Sequence, residues 1–417
     1  MRSFPAGYGV SRRGFIAGLS ATTLAGRAFA QGSTSLTTGA VFDTHVAGGP
    51  ETRPLTTAFP QKGEMILQRV TPPWLETPPD VFDQGVFTPN DRFFVSWHWA
   101  TLPPEIDVET FRLKILGSVE TPLGLGVNEI LNDYERVELA AVCLCAGSGR
   151  SYFEPRVTGP QWGNGAMGNA RWVGVRLRDV LEKAGIKAGA IQARFGGLDQ
   201  ALVPDAPPFI GTLDLDHAMD GEVMIAFAMN GEQIPYLNGF PLRLIVPGWS
   251  SVYWIKMLND IEILSEPDET YWTKSAYRVP DNPTHTVDAG MRTGFEVRKV
   301  TYLLPRSLVT NLADGAQVPS GTATELRGIA MGGNAGVKAV DYSLDGGKSW
   351  QAATLGEDHG KYSFRQWTAN VTFPDKGEVG VMVRATNDNG VAQPLQRTWN
   401  PRGYMWSSVE TRKLQVV

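Results

Sequence analysis

Cysteine is almost absent: the 417-residue chain has two, Cys143 and Cys145, and a bridge across so short a spacing would be strained. A disulfide framework is thereby excluded. No Cys-x-x-Cys-His run occurs, so covalently attached haem is excluded as well. The five histidines are scattered and lack the spacing of a zinc site. Dense runs of lysine or arginine are missing, and the net charge is −5, which excludes nucleic acid as an expected partner. Long apolar runs are missing too. The stretch from Ile16 to Leu24 falls far short of the ~20 residues a membrane span requires, so no span is expected in the mature chain. No internal repeat is visible. What remains is a globular composition, 42% apolar and 19% charged, with length for two or three cores.

The first 30 residues read as an export address. Arg12 and Arg13 precede the short apolar stretch, and Ala28-Phe29-Ala30 offers a small-residue cleavage site before Gln31. This pattern predicts a twin-arginine signal over 1–30 and a periplasmic mature protein; an N-terminal anchor is the alternative. The twin-arginine route carries folded proteins, which suits a chain whose cofactor is inserted before crossing.

Along the rest of the chain the pattern changes once. Over 44–290 short apolar strands mix with occasional helices, an α+β pattern. Leu177, Val180, Leu181 and Ala184 fall at helical spacing, and Gly185 supplies the stop. Over 295–417 the pattern is all β. Val340 to Leu344 alternates, Asp345-Gly346-Gly347 turns, and Ser349 to Ala352 returns as a hairpin. Tyr362 to Phe373 and Val379 to Thr386 supply further strands, and the spacing predicts an immunoglobulin-like sandwich.

The most informative residue is Cys145. It follows the strand-like stretch Val137 to Val142 and opens a loop of small residues, Ala146-Gly147-Ser148-Gly149, that ends in Arg150. Small residues admit a bulky group close to the backbone, and a neighbouring guanidinium favours the thiolate, the form that binds metals. Cys145 is therefore read as a metal ligand, and Cys143 as a buried small residue.

The loop CAGSGR at 145–150, the segment NGAMGNARWVGVRLRDVL at 164–181, the segment NGFPLRLIVPG at 238–248 and the C-terminal β module together resemble the sulfite oxidase family of molybdenum enzymes. Within that family the chain is most similar to exported bacterial sulfite dehydrogenases that lack a haem domain. The resemblance implies a mixed α/β molybdopterin-binding domain of sulfite oxidase fold over 44–290, followed by an immunoglobulin-like dimerisation domain over 295–417. It implies a molybdenum–molybdopterin cofactor, with the Cys145 thiolate as the one protein ligand and no haem in this chain. A soft sulfur donor suits such a centre. By similarity, His98, Asp199, Asn238, Arg243 and Lys256 hold the pterin, and Asn238 stands where some relatives have histidine. Arg150, Arg402 and Tyr277 fall at substrate-side positions, and Trp162 walls the pocket.

Ordinary structural roles stand beside several of these readings. Arg243 precedes a buried-looking strand and needs a partner, for which Asp260 is an alternative to the pterin. Arg402 could form a surface ion pair, and Tyr277 could be a packed core residue. If Phe93 to Trp99 is a strand, Phe94, Ser96 and His98 share one face, while Trp97 and Trp99 lie on the other with the core.

One departure bears on substrate. Family members usually carry arginine two residues before the position matched by His98, and this chain has Ser96. The expected function is oxygen-atom transfer, sulfite oxidised to sulfate, with electrons passed to an external cytochrome c and a homodimer as the assembly. The alternatives are a molybdenum oxidoreductase for a less anionic or other sulfur-containing substrate, including sulfoxide reduction, a sulfane-sulfur dehydrogenase subunit, and a non-catalytic exported binding protein.

Overall fold

The computed structural model describes residues 35–44 and 51–417; the expected export signal lies outside the described residues. Three sheets build the first unit. One is an antiparallel meander of the strands Val41–Asp43, Thr52–Thr56, Met65–Arg69, Trp74–Glu76 and Val95–Ser96. A second has the order Ile210–Asp214, Gln192–Gly197, Leu258–Leu264, Leu113–Gly117 and Leu123–Leu125, with one parallel pair between Leu258–Leu264 and Leu113–Gly117. The third carries the cysteines: Arg136–Leu144 pairs antiparallel with Met167–Arg176, which pairs with Met224–Met229, and this last strand also takes Arg243–Ile245.

The cysteine sheet is buried on both faces over much of its length, which is why its strands read as near-continuous apolar runs. Cys143 pairs with Gly168, and a Cβ at Gly168 would lie 2.6 Å from the Phe93 ring. Glycine at that position lets the His98 segment approach the cysteine strand. Helices are few and short. Leu177–Ala184 buries the four apolar residues expected and ends at Gly185, whose φ of +70° suits glycine. Strands dominate the unit while its α+β character holds.

From Arg306 the chain forms a sandwich. One sheet has the order Arg306–Val309, Ala323–Met331, Arg365–Thr372, Thr354–Leu355; the other has Ala316–Val318, Glu410–Val416, Gly377–Asn387, Val337–Ser343, Gln351–Ala352. The expected hairpin is present, with Tyr342 opposite Gln351. Leu326, Val340, Trp367, Val381 and Val383 fill the space between the sheets.

The two units share a core. Val142, Leu144 and Met167 of the cysteine sheet pack with Leu303, Leu308, Ile329, Met331 and Phe364. Full burial of side chains of this size contributes roughly 1.5–3 kcal/mol each. The Val142 amide also donates to the Tyr362 carbonyl at 2.8 Å. Arg306, 3% exposed, crosses the junction and donates to Ser148 Oγ at 3.1 Å, to Asn164 Oδ1 and to Glu410 at 3.3 Å.

Candidate active site

Cys145 is the first residue beyond its strand. Its amide donates to the Ala166 carbonyl at 3.0 Å, and its carbonyl accepts from the Ser148 amide at 2.9 Å. The loop then turns through Gly149, with φ of +81°, where a Cβ would lie 2.6 Å from the Trp406 ring. These contacts hold Cys145 in the lining of a small cleft. Burial raises the thiol above its ordinary value; the Gly147 amide at the sulfur, Arg150 and Lys256 pull it back down. The expected pull of Arg150 toward the thiolate is therefore present, and burial outweighs it.

The cleft gathers most of the expected pterin-side residues. Ser96, His98, Asn238, Arg243, Lys256 and Tyr277 line it together with Cys145. His98 stacks on Phe209, 3.7 Å between ring centres, and stands edge-on to Trp272. Its Nε2 is hydrogen-bonded to the Tyr277 hydroxyl, and its Nδ1 is buried without a partner. Burial first, then Lys256 and Arg69, lower its pKa to about 3, so the imidazole is neutral. Tyr277 has φ of +48°, a sparsely populated conformation for tyrosine, fixed by the Val300 amide donating to its carbonyl at 2.8 Å. Burial holds its phenol well above the ordinary value.

Arg243 is 3% exposed; it donates to the Asn238 carbonyl at 2.8 Å and to Cys143 Sγ at 3.2 Å, while its Nε has no partner. Asp260 is opposite Lys114 and Gly196 in another sheet, so the alternative ion pair does not form. Cys143 is buried as expected, and it also serves as the acceptor for that guanidinium. Lys256 lies over the Trp97 ring, 4.4 Å from its centre, and burial, with Arg243 nearby, lowers its pKa to about 8. Asp199 is just outside the lining. Burial raises its carboxyl to about 6 against the pull of Lys256, and its Oδ2 is unpartnered.

Asn238 lines the cleft; its Oδ1 accepts from Lys62 at 2.5 Å and its Nδ2 donates one N–H to the Phe94 carbonyl at 3.0 Å, which leaves the second amide N–H for a ligand. Two expectations change. Trp162 is fully buried, its ring centre 6.1 Å from that of Trp74, and it is not among the residues lining the cleft. The Arg402 side chain is exposed; the site receives its carbonyl, which accepts from Arg150 Nε at 3.2 Å. The bare Gly403 backbone lies on Arg150, where a Cβ would come within 2.8 Å, so main chain and not guanidinium faces inward. Arg150 itself is 5% exposed, with Nη1 donating to the Pro160 carbonyl at 3.2 Å.

Sequence reasoning missed Lys62, Arg306, Tyr404 and the aromatic pair Phe209 and Trp272. Lys62 is buried, donates also to the carbonyls of Asn90 at 2.8 Å and Phe93 at 2.9 Å, and is lowered to about 7 by burial, against the pull of Asp91. Arg69 stacks on Trp74, 3.1 Å from the ring centre, and Trp74 pairs in register with Ser96. None of these residues lies in a local motif. Lys62 is tied to the site through its hydrogen bond to Asn238 Oδ1.

Residues 99–272 match the family described as oxidoreductase molybdopterin binding domain, and residues 298–413 match the one described as Mo-co oxidoreductase dimerisation domain. The mitochondrial sulfite oxidase of Mus musculus is 33% identical over 362 residues, which are 82% of this chain and 64% of that protein, so the chain spans just under two thirds of that relative. The sulfite oxidase of Gallus gallus is 30% identical over 346 residues, 79% of this chain and 73% of that protein. The sulfane dehydrogenase SoxCD of Paracoccus pantotrophus has a solved structure that superposes with a TM-score of 0.69 at 25% identity, covering 84% of this chain and 86% of that one. With a cysteine in the lining of a cation-bearing cleft and both family descriptions matched in order, the chain belongs to the sulfite oxidase family of molybdoenzymes.

Proposed function

We propose that this protein is a molybdenum-dependent oxidoreductase, exported to the periplasm, that oxidises sulfite to sulfate and passes electrons to an external cytochrome c, acting as a homodimer. The observation that carries the reading is the cleft itself, where the Cys145 thiol faces a pocket with more buried positive charge than negative. Buried cations require an anionic partner. His98 Nδ1, Asp199 Oδ2 and Arg243 Nε are buried polar atoms without a hydrogen-bond partner, acceptors and a donor together, so the residues fit a phosphate-bearing, polar-edged pterin.

In this reading Cys145 is the metal ligand, and Arg243, Lys256, His98 and Asp199 hold the pterin, with Lys62 adding charge behind Asn238. When bound, the molybdenum pterin supplies the oxygen atom and takes up two electrons. Arg150 holds the substrate oxyanion with a charge-assisted hydrogen bond. With its proton on Nε2, His98 donates to the Tyr277 oxygen and frees the phenol proton for a substrate oxygen; Nδ1 is then an acceptor suited to a pterin N–H. Both donors are fixed before charge shifts on the substrate, which is how preorganised groups lower a barrier. In sum, sulfite and water become sulfate, two protons and two electrons, and the electrons leave singly.

Ser96 on the cleft wall favours a second reading, a less anionic substrate, because the side chain there carries no charge. Molybdenum analysis of protein from a competent host, followed by steady-state assays with sulfite and with a sulfoxide, separates the two. Metal with rapid sulfite oxidation is expected. Protein that retains no metal would remove the redox assignment, and sulfoxide turnover alone would move it to the second reading.

A further inference from the structure

Arg150 and Tyr277 lie far apart in sequence, and one side chain of the second unit touches both. The Tyr404 ring stacks on the Tyr277 ring, 5.3 Å between centres and 24° between planes. The Arg150 guanidinium carbon lies 4.9 Å from the centre of the same ring. The backbone that carries Tyr404 is pinned on both sides. Asn400 brackets it, accepting from its amide at 3.2 Å and donating to its carbonyl at 2.9 Å, and the next amide, that of Met405, donates to the Ala146 carbonyl at 2.9 Å. Trp406 then fills the space above Gly149.

Carbonyls already take two of the guanidinium nitrogens, Nε by Arg402 and Nη1 by Pro160. The direction of the remaining nitrogen, Nη2, is set by the plane of the guanidinium, and that plane rests on an electron-rich ring face that attracts cations. We propose that Tyr404 is a positioning residue: its ring, supplied by the second unit, holds Arg150 and Tyr277 in a common orientation before Cys145 and so sets the affinity for the oxyanion. The inference rests on the reading of Arg150 as the oxyanion grip. The ring performs the task, and the hydroxyl does not.

The test uses the full chain loaded with its cofactor and sulfate as an inert oxyanion, with Kd measured by calorimetry and molybdenum content and melting as controls. Tyr404→Phe should bind sulfate within about twofold of the parent, whereas Tyr404→Leu should bind it roughly 3- to 30-fold more weakly, the span of one cation–π contact. In turnover, Tyr404→Leu should raise KM more than it lowers kcat. Should the leucine protein fail to fold, pentafluorophenylalanine at 404 keeps the shape and reverses the ring's charge distribution, and it should weaken sulfate relative to Phe. A Phe variant as weak as Leu, or a Leu or fluorinated variant that binds like the parent while Arg150→Lys binds poorly, would overturn the inference. An Arg150→Lys protein with parental affinity would overturn the reading of Arg150 and the inference with it.

Discussion

Arg243 and Lys256 line the cleft, Lys62 stands behind Asn238, and each of these three buried cations is held below its ordinary pKa chiefly by burial. Lys62 gives this a measurable sign. Its folded pKa of about 7 lies below the unfolded value of about 10.4, so between those limits the unfolded chain keeps a proton that the folded chain has released. Stability of the cofactor-free protein should rise across that window, by up to roughly 1.4 kcal/mol per unit from this group, and Lys62→Met should lack that share. Urea titrations at pH 7, 8 and 9 check this; parallel slopes for the two proteins would contradict it. Cys143→Ala leaves a buried Arg243 nitrogen without its acceptor and should cost about 1–3 kcal/mol in the same titrations, whereas Cys143→Ser should largely restore it. Ser96→Arg adds a charge-assisted donor to the cleft wall and should lower the KM for sulfite by about 10- to 150-fold. No gain would show that position 96 does not face the anion.

At the level of elements, the cysteine loop is the least forgiving piece. Gly149 combines a positive φ with a ring in van der Waals contact, so Gly149→Ala should destabilise by about 1–3 kcal/mol and lower molybdenum content with it, measured by melting and metal analysis. Elements set by local pattern were legible in the sequence: the helix Leu177–Ala184 from its spacing and Gly185, the hairpin from Asp345-Gly346-Gly347, and the cysteine strand from its apolar run. The segment from Phe93 to Trp99 was legible only in part. Its alternation does turn Phe94, Ser96 and His98 to the cleft, yet only Val95–Ser96 pairs as a strand. Side chains replace the ladder there: Lys62 satisfies the Phe93 carbonyl, and Trp74 Nε1 donates to the Trp97 carbonyl at 2.9 Å. Lys62 itself, between Gln61 and Gly63, reads as a surface turn, because its acceptors come from Asn90, Phe93 and Asn238. Tyr404 was hidden for the same reason, since its contacts, Arg150 and Tyr277, are far away along the chain.

Across the whole molecule, the site belongs to both units. The shared core, Arg306 on Ser148 and Glu410, and the 400–406 segment over the cysteine loop join the sandwich to the cysteine sheet. Calorimetry should therefore show one cooperative transition, and Arg306→Ala, which leaves the largely buried Glu410 carboxylate without its ion pair, should destabilise by roughly 3–5 kcal/mol and reduce molybdenum content although it touches neither thiol. Two separated transitions would mean that the units fold independently. Sedimentation should give a dimer if the sandwich performs the role its family description names. The central claim is the bond between Cys145 and molybdenum, and X-ray absorption at the molybdenum edge, on the parent and on Cys145→Ser protein, tests it most directly. The parent should show one more sulfur neighbour than the variant; an unchanged sulfur count would contradict the assignment.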